Sequence, residues 1–414
     1  MVEFVSDDDA RYAHDFIKAV CTEIGPGCPC SQKERERAMK VKEELEKIAD
    51  SVEVQDFSCA PDAYIGWFKL GALCAGAALV FFYLSLTPQN PILYSTIALA
   101  LSAFILALFF FQFIFAFHFI DFLFPKKTSC NVQGRIGNPD GGQPRRIVVF
   151  SGHHDSAKQF TWLRYLKRGY YVAEAVLMIG ILLLAALLAI RLLALLAGSQ
   201  AEWVNSALVA MSWTLFPVEM IIAIFFTESG KNGGTVPGAS DNLSAVSIVL
   251  AIGRILKRHP ELVPAGTEIR LVSFGCEEAG ERGSTEYARS HLAELRTAAF
   301  VVNFETICRP RISIFTTDRN NTVRNDPGLV ASVAEAARAA GVPHDVKPFY
   351  FGGGGTDALP FSAMGIKAVS LFSMKVPEQM IEFYHQSSDT PDKVSVEALS
   401  NAIKIAIAFL QGFE

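Results

Sequence analysis

The chain has 414 residues, of which 51% are hydrophobic and 19% charged, with a formal net charge of -5. A typical soluble chain has about 45–50% apolar and about 25% charged residues, so this apolar excess is too large for an ordinary soluble enzyme and too small for a purely polytopic transporter. Without clustered Lys and Arg to neutralise phosphates, the acidic balance excludes nucleic acid as a partner.

Met1 to Ala19 carries Glu3, Asp7, Asp8, Asp9 and Asp15 where a secretory signal would have a basic start and an apolar run, so no cleavable signal is expected. Residues 9–49 read as helical, ending in a charged stretch whose apolar positions recur at helical spacing. Two apolar runs follow, 64–86 and 92–124, the second broken only by Gln112, His118 and Asp121 near its end. Residues 146–150 form a short β-branched run leading into Ser151-Gly-His-His-Asp-Ser156. A second apolar pair occupies 171–190 and 204–226. Asp241 then opens an amphipathic helix over 242–257, standing at its N-terminus. Strands are expected at 268–274, 299–304, 312–315, 346–351 and 368–372, with helices at 329–340 and 396–411. The glycine run Gly352–Gly355 has no strand–GxxxxGK–helix context and reads as a loop rather than a phosphate site.

Each apolar run reaches the length of about 20 residues that crosses a bilayer core. Both pairs are hairpins, so all the charged sequence falls on one side of a lipid bilayer. The domain-side flanks carry Lys69, Lys126, Lys127, Arg164, Lys167, Arg168 and Lys231, against Arg191 alone on the far side. The positive-inside rule makes this a multi-pass cell-membrane protein with its soluble part cytoplasmic. Eight cysteines without a repeated spacing agree with a reducing compartment. Glu174 and Glu219 fall inside the spans, where a carboxylate is a functional hypothesis by default. For Glu219, beside Pro217, the reading favours a protonated group hydrogen-bonded between helices. The organisation is then an N-terminal part of the soluble domain (1–62), a first transmembrane hairpin (63–124), a second domain part (125–165), a second hairpin (166–228) and the remainder (229–414).

Outside the hairpins, strands alternate with helices. The fold class is α/β, a mixed and largely parallel sheet sandwiched by helices, with two inserted transmembrane helical hairpins. Ligands of such sheets bind beyond the carboxyl ends of the strands. His153, Asp155, Glu277, Glu278 and Glu305 all fall just past expected strand ends. With Asp241, His385 and Asp389 they form a set of imidazoles and carboxylates suited to zinc, and a carboxylate able to bridge suits two ions.

Taken in order, Gly152-His153-x-Asp155-Ser156, Gly238-Ala-Ser-Asp241-Asn242-x-Ser244, Glu277-Glu278-x-Gly280-x-x-Gly283-Ser284, Asn303-x-Glu305 and Tyr384-His385-x-x-x-Asp389-Thr390 resemble the ligand motifs of the zinc-dependent aminopeptidase family. That family includes bacterial leucyl aminopeptidases, glutamate carboxypeptidases and glutaminyl cyclases. The resemblance extends to Ile24-Gly-Pro26 and Thr356-Asp-Ala-Leu-Pro-Phe361, covering nearly all of the chain outside the spans. It implies a zinc exopeptidase fold with two zinc ions, peptide substrates, and Asp241 as the carboxylate bridging the ions. His153 and Glu305 would complete one ion, and Glu278 and His385 the other. Asp155 would stand behind the first site and Asp389 beside His385, fixing the imidazole tautomer. The peptide Asp241–Asn242 is expected to be cis. Glu305 departs from the family, which usually has Asp there.

The same resemblance makes Glu277 the catalytic base, which takes a proton from the attacking water and passes it to the leaving amine. Tyr384 would support the oxyanion of the tetrahedral intermediate. Three alternatives stay open: a single-zinc glutaminyl cyclase, a non-catalytic scaffold on the same fold, and a transporter with a regulatory domain. Substrates generated at the cytoplasmic membrane surface would suit a hydrolase with membrane spans threaded through it. Side-chain preference, aminopeptidase against carboxypeptidase or dipeptidase action, and oligomeric state are not specified by these residues.

Overall fold

From Ile147 to His153 every residue is buried, as a strand covered on both faces requires. In the computed structural model this strand lies inside an eight-stranded sheet. The structure describes residues 4–115, 117–137, 144–200, 202–228, 234–349 and 354–413. The chain divides into two compact units. The first comprises Met1–Pro61, Lys126–Gln159 and Gly230–Glu414, and the second Asp62–Pro125 and Phe160–Ser229.

The strands of the first unit are β1 (Ser51–Cys59), β2 (Lys127–Ile136), β3 (Arg146–His153), β4 (Thr267–Phe274), β5 (Ala299–Glu305), β6 (Ile312–Phe315), the short hairpin strands β7 (Thr317–Asp318) and β8 (Val323–Arg324), β9 (His344–Lys347) and β10 (Lys367–Phe372). The main sheet runs β1-β2-β4-β3-β5-β10-β6-β9. Its centre, β4-β3-β5-β10, is parallel, as is β6-β9, while β1-β2, β2-β4 and β10-β6 are antiparallel. Strand side chains alternate between the faces. Val148, Phe150, Val302 and Phe304 therefore join a core with helices Asp7–Ala19, Ser244–Arg258, Pro327–Ala339 and Val396–Gln411. Ile147, Val149, Val272 and Val301 join a second core on the other face with Tyr287, Leu295 and Phe361. Because β3, β4 and β5 are parallel, their carboxyl ends, at His153, Phe274 and Glu305, share one edge.

Several elements differ from the sequence reading. The stretch 9–49 is two helices, Asp7–Ala19 and Gln32–Glu46, separated by a π-helical turn and by Gly25 at a φ of 83°. Only glycine adopts that conformation without a Cβ penalty. β1 and β2 were not expected. Both are polar, SVEVQDFSC and KTSCNVQGRI, and their pairing from Ser51↔Arg135 to Cys59↔Lys127 spans the first inserted hairpin. β9 stops at Lys347, short of the expected 346–351, and residues 350–353, which hold most of that strand's end and the start of the glycine run, lie outside the described residues. Lys231 lies outside them as well.

The second unit is helical. Helices Asp62–Leu84, Pro91–Ala107 with its π-helical continuation to Ile114, and Tyr170–Leu196 are long and apolar enough to cross a membrane. The expected fourth span is broken into Glu202–Trp213 and Leu215–Ile224, bent by 44°. Pro217 lies in the first turn after the break, where its missing N–H costs no helical bond. Ala239–Arg258 is equally apolar by length and composition, but it is almost wholly buried in the first unit's core. Arg191 is not a turn residue, as expected, but a buried side chain of helix Tyr170–Leu196. It donates to Ser95 Oγ at 2.9 Å and to the Ser85 carbonyl at 3.0 Å. Glu219 packs against Gly180, where a Cβ would fall 1.4 Å from its Oε1, and that oxygen has no hydrogen-bond partner, contrary to the expected interhelical bond. Among the described residues, exposed large apolar side chains such as Leu73, Val80, Val172, Leu193 and Trp213 fall almost entirely in this unit, the first contributing Val346, Val376 and Val396.

Candidate metal centre

The parallel strand ends deliver most of the candidate metal-binding side chains. His153 is the last residue of β3 and Glu305 the last of β5, while Glu277 and Glu278 follow β4 in the next loop. Asp241 comes from the π-helical turn Ala239–Leu243 ahead of helix Ser244–Arg258, and His385 from the loop after Glu378–Glu382. Asp241 sits between the histidines, its Oδ1 3.3 Å from His153 Nε2 and its Oδ2 3.2 Å from His385 Nε2. Glu305 Oε1 is 3.7 Å from His153 Nε2, and Glu278 Oε2 is 3.2 Å from His385 Nε2. The result is two groupings that share one carboxylate: His153, Asp241 and Glu305, and Asp241, Glu278 and His385. Glu277 Oε2 lies 3.4 Å from His153 Nε2, making a further grouping with Glu278.

Backbone contacts hold this set in place. Asp155 is 3.3 Å from His153 Nδ1 and accepts hydrogen bonds from the backbone N–H groups of Glu277 and Glu278, at 3.1 and 3.0 Å. One buried carboxylate thus orients the histidine and the Glu277–Glu278 loop together. The Asp241–Asn242 peptide is cis. Asn242 donates to the Phe304 carbonyl and accepts from Thr306 N–H, tying the bridging loop to the end of β5. Asp389, expected beside His385, places its carboxylate on the bridging loop. It accepts from Ser240 N–H and Oγ at 2.9 and 2.5 Å and from Asp241 N–H at 3.2 Å.

The electrostatics of this cluster call for a cation. Four carboxylates and two imidazoles converge in a mostly buried site. Burial, followed by repulsion from Asp357, Glu278 and Glu305 against the pull of His153, pushes Glu277 well above the usual carboxylate range. Burial likewise raises Glu278, and raises Glu305 to about 8. Burial works against charge on the histidines, but the surrounding carboxylates outweigh it, lifting His153 well above its ordinary value and His385 to about 10. Asp241 goes the other way: burial opposes its ionisation, yet the adjacent imidazoles of His153 and His385 hold it below the usual range. Glu278 Oε1, Glu305 Oε2 and both ring nitrogens of His153 are buried without a hydrogen-bond partner. Buried polar atoms are normally paired, and mixed imidazole and carboxylate donors suit zinc. The residues fit zinc.

The cavity beside the cluster is lined by Thr306, Phe349, Phe372 and Tyr384 as well as the carboxylates. Tyr384 stacks on His385, ring centroids 3.8 Å apart, and burial raises its phenol, which therefore keeps its proton. Sequence reasoning missed two supporting residues. Arg37 is fully buried and donates to the carbonyls of Gly25, His154 and Pro237, joining the His153 and Asp241 loops. Asp357, within the Thr356–Phe361 motif, is fully buried and its charge acts on Glu277. Arg37 sits in a highly charged helix, and no local signal separates it from its solvated neighbours.

Residues 227–410 match peptidase family M28. That stretch is similar to a peptidase family M28 domain. The M28 match contains Asp241, Glu277, Glu278, Glu305, Tyr384, His385 and Asp389, whereas His153 and Asp155 lie before it, beyond the second hairpin. Aminopeptidase YwaD of Bacillus subtilis is 30% identical over 172 residues, 40% of this chain. The aligned stretch spans about a third of that relative, 35% of its length. Among solved structures, the zinc aminopeptidase BSAP from Bacillus subtilis superposes with a TM-score of 0.55 at 16% identity, covering 97% of this chain and 95% of that one. A glutaminyl cyclase from Fimbriiglobus ruber gives 0.53 at 13% identity, covering 99% and 96%. At these identities the likeness is one of fold, a mixed α/β sheet flanked by helices.

Proposed function

We propose that this chain is a membrane-bound zinc metallo-exopeptidase, an aminopeptidase that removes N-terminal residues from peptides. The observation that carries this reading is the single carboxylate of Asp241 set between two histidines, each grouping completed by a further glutamate. His153, Asp241 and Glu305 would hold one zinc ion, and Asp241, Glu278 and His385 the other. Bound there, the two ions would lower the pKa of a water and polarise the scissile carbonyl. Glu277 acts as the base: its carboxylate faces the cluster, takes the proton of the attacking water and delivers it to the leaving amine. Its raised proton affinity suits a group that must carry that proton between the two steps. Tyr384 donates its hydroxyl proton as a hydrogen bond to the developing oxyanion. Phe349 and Phe372 give the cavity an apolar wall.

Glutaminyl cyclases share the fold, but the second grouping of His153, Asp241 and Glu305 favours two ions over one. The second unit's apolar exterior and helix lengths support insertion in the cell membrane, and Lys126, Lys127, Arg164, Lys167 and Arg168 support a cytoplasmic catalytic part. The test is hydrolysis of amino-acyl anilides by the zinc-loaded protein in detergent, beside a peptide with N-terminal glutamine. Release of free amino acid supports the peptidase, and pyroglutamate without hydrolysis supports the cyclase.

A further inference from the structure

Three cysteines from distant parts of the chain meet in the first unit. Cys30 lies in the loop ahead of helix Gln32–Glu46, Cys59 ends β1, and Cys276 lies between β4 and Glu277. Their sulfurs form a nearly equilateral triangle: 3.5 Å from Cys30 to Cys59, 3.7 Å from Cys30 to Cys276 and 3.4 Å from Cys59 to Cys276. All three are free thiols. Cys59 and Cys276 are buried, and Cys30 is partly exposed, giving the triangle one open side.

A tetrahedral zinc site with Zn–S bonds of about 2.3 Å has S···S edges of about 3.8 Å. The observed triangle is close to one face of that tetrahedron. The scaffold beneath it is built rather than incidental. The buried carboxylate of Glu34 accepts the backbone N–H of Cys30 at 2.8 Å and of Cys276 at 2.8 Å, and the hydroxyl of Ser129 at 2.9 Å. Cys30 and Cys276 both adopt left-handed backbone conformations, φ of 58° and 56°, which non-glycine residues enter only where the surroundings impose them. A disulfide would use two of the three sulfurs and leave the third out, whereas a cation uses all three.

We propose that Cys30, Cys59 and Cys276 form a separate thiolate site for a soft d10 cation of the zinc type. Three metal–sulfur bonds form, three thiol protons leave to solvent, and no electrons are exchanged. The fourth coordination position faces the open side at Cys30 and takes a water or a small exogenous thiol. Thiolates select softer ions than the carboxylate-rich cluster does, so the two sites differ in metal preference. Cys276 is covalently joined to Glu277, and occupancy fixes the start of the loop carrying Glu277 and Glu278. The site does not depend on the peptidase reading.

The test uses the full chain in detergent, stripped of metal under reductant and titrated with Cd2+, whose bonds to thiolate give an ultraviolet charge-transfer band that carboxylate and imidazole ligands do not. The expected result is a band saturating at one equivalent, with the partly exposed Cys30 thiol no longer open to Ellman's reagent. Cys59→Ser and Cys30→Ser, each checked for native circular dichroism, weaken Cd2+ binding at this site at least tenfold, whereas Cys21→Ser leaves it unchanged. Because Cys30 is partly exposed, Cys30→Ser keeps the test decisive should Cys59→Ser fail to fold. The absence of a stoichiometric band in the native chain, or a band unchanged in folded Cys30→Ser, overturns the proposal.

Discussion

Replacing Glu277 by Gln separates chemistry from metal binding at this site. The amide matches the carboxylate in volume, so the cavity next to Tyr384 and Phe372 keeps its shape, but it cannot take up a proton. General acid–base catalysis contributes about 10²–10⁴-fold, and in the proposed mechanism Glu277 would serve two proton transfers in one turnover, so the expected loss belongs in the upper part of that range. A fall in kcat of about 10³–10⁴-fold corresponds to about 4–5.5 kcal/mol of barrier. KM should stay within a few-fold, because nothing in the substrate's ground state relies on this proton. Kinetics on an amino-acyl anilide and metal content should be measured on the same preparation. Near-parental metal with lost turnover supports the base. Because Glu277 also stands 3.4 Å from His153 Nε2, loss of one metal equivalent would make it a ligand instead, and surviving turnover would refute its role altogether.

Asp389→Ala leaves two backbone N–H groups and the Ser240 hydroxyl at the bridging loop without their acceptor. Metal affinity, measured by competition with a chelator, should fall about 10–100-fold, and an unchanged affinity would remove Asp389 from the support of Asp241. Burial lowers the pKa of His154 to about 3, and the ring is bonded to Ser273 Oγ at 2.9 Å. As pH falls below about 6.5 the unfolded chain takes up a proton that the fold refuses, so this contribution is complete above about 6.5 and is lost towards 3. Between about pH 6.5 and 5.0 the loss is on the order of 2 kcal/mol. Thermal melting of His154→Gln should therefore flatten with pH relative to the parent, and parallel curves would contradict the burial argument. Gly180→Val drives a side chain into the position of Glu219 and should destabilise the second unit by about 1–3 kcal/mol, read as increased proteolysis in detergent. Resistance equal to that of the parent would mean that these helices pack differently.

The candidate residues His153, Glu277, Glu278 and Glu305 were legible because each sits in a short motif at a strand end. Ile-Val-Val-Phe followed by Gly-His-His-Asp reads as strand and then site without knowledge of any distant residue, and so does the strand before Glu277-Glu278. What was not legible depends on partners far away in the chain. Arg37 reaches His154 and Pro237, and Glu34 reaches Cys276, across stretches in which nothing local marks them. β1 and β2 alternate weakly and carry many polar side chains, so their pairing becomes visible only in the sheet. Apolarity alone also fails to separate a span from a core helix. Ala239–Arg258 and Asp62–Leu84 are both apolar enough to cross a bilayer, and only the first is enclosed by a sheet and its covering helices. Arg191 shares this origin, since its partners Ser85 and Ser95 lie far away in the chain.

The central claim is that Asp241 is shared by two metal ions. The direct measurement is metal per chain by mass spectrometry after reconstitution with zinc, made in the Cys59→Ser background so that sulfur-bound metal is not counted. The account predicts two zinc ions per chain, and none retained tightly when Asp241 is changed to Asn. A single ion in the parent chain, or two ions that persist in Asp241→Asn, would contradict it.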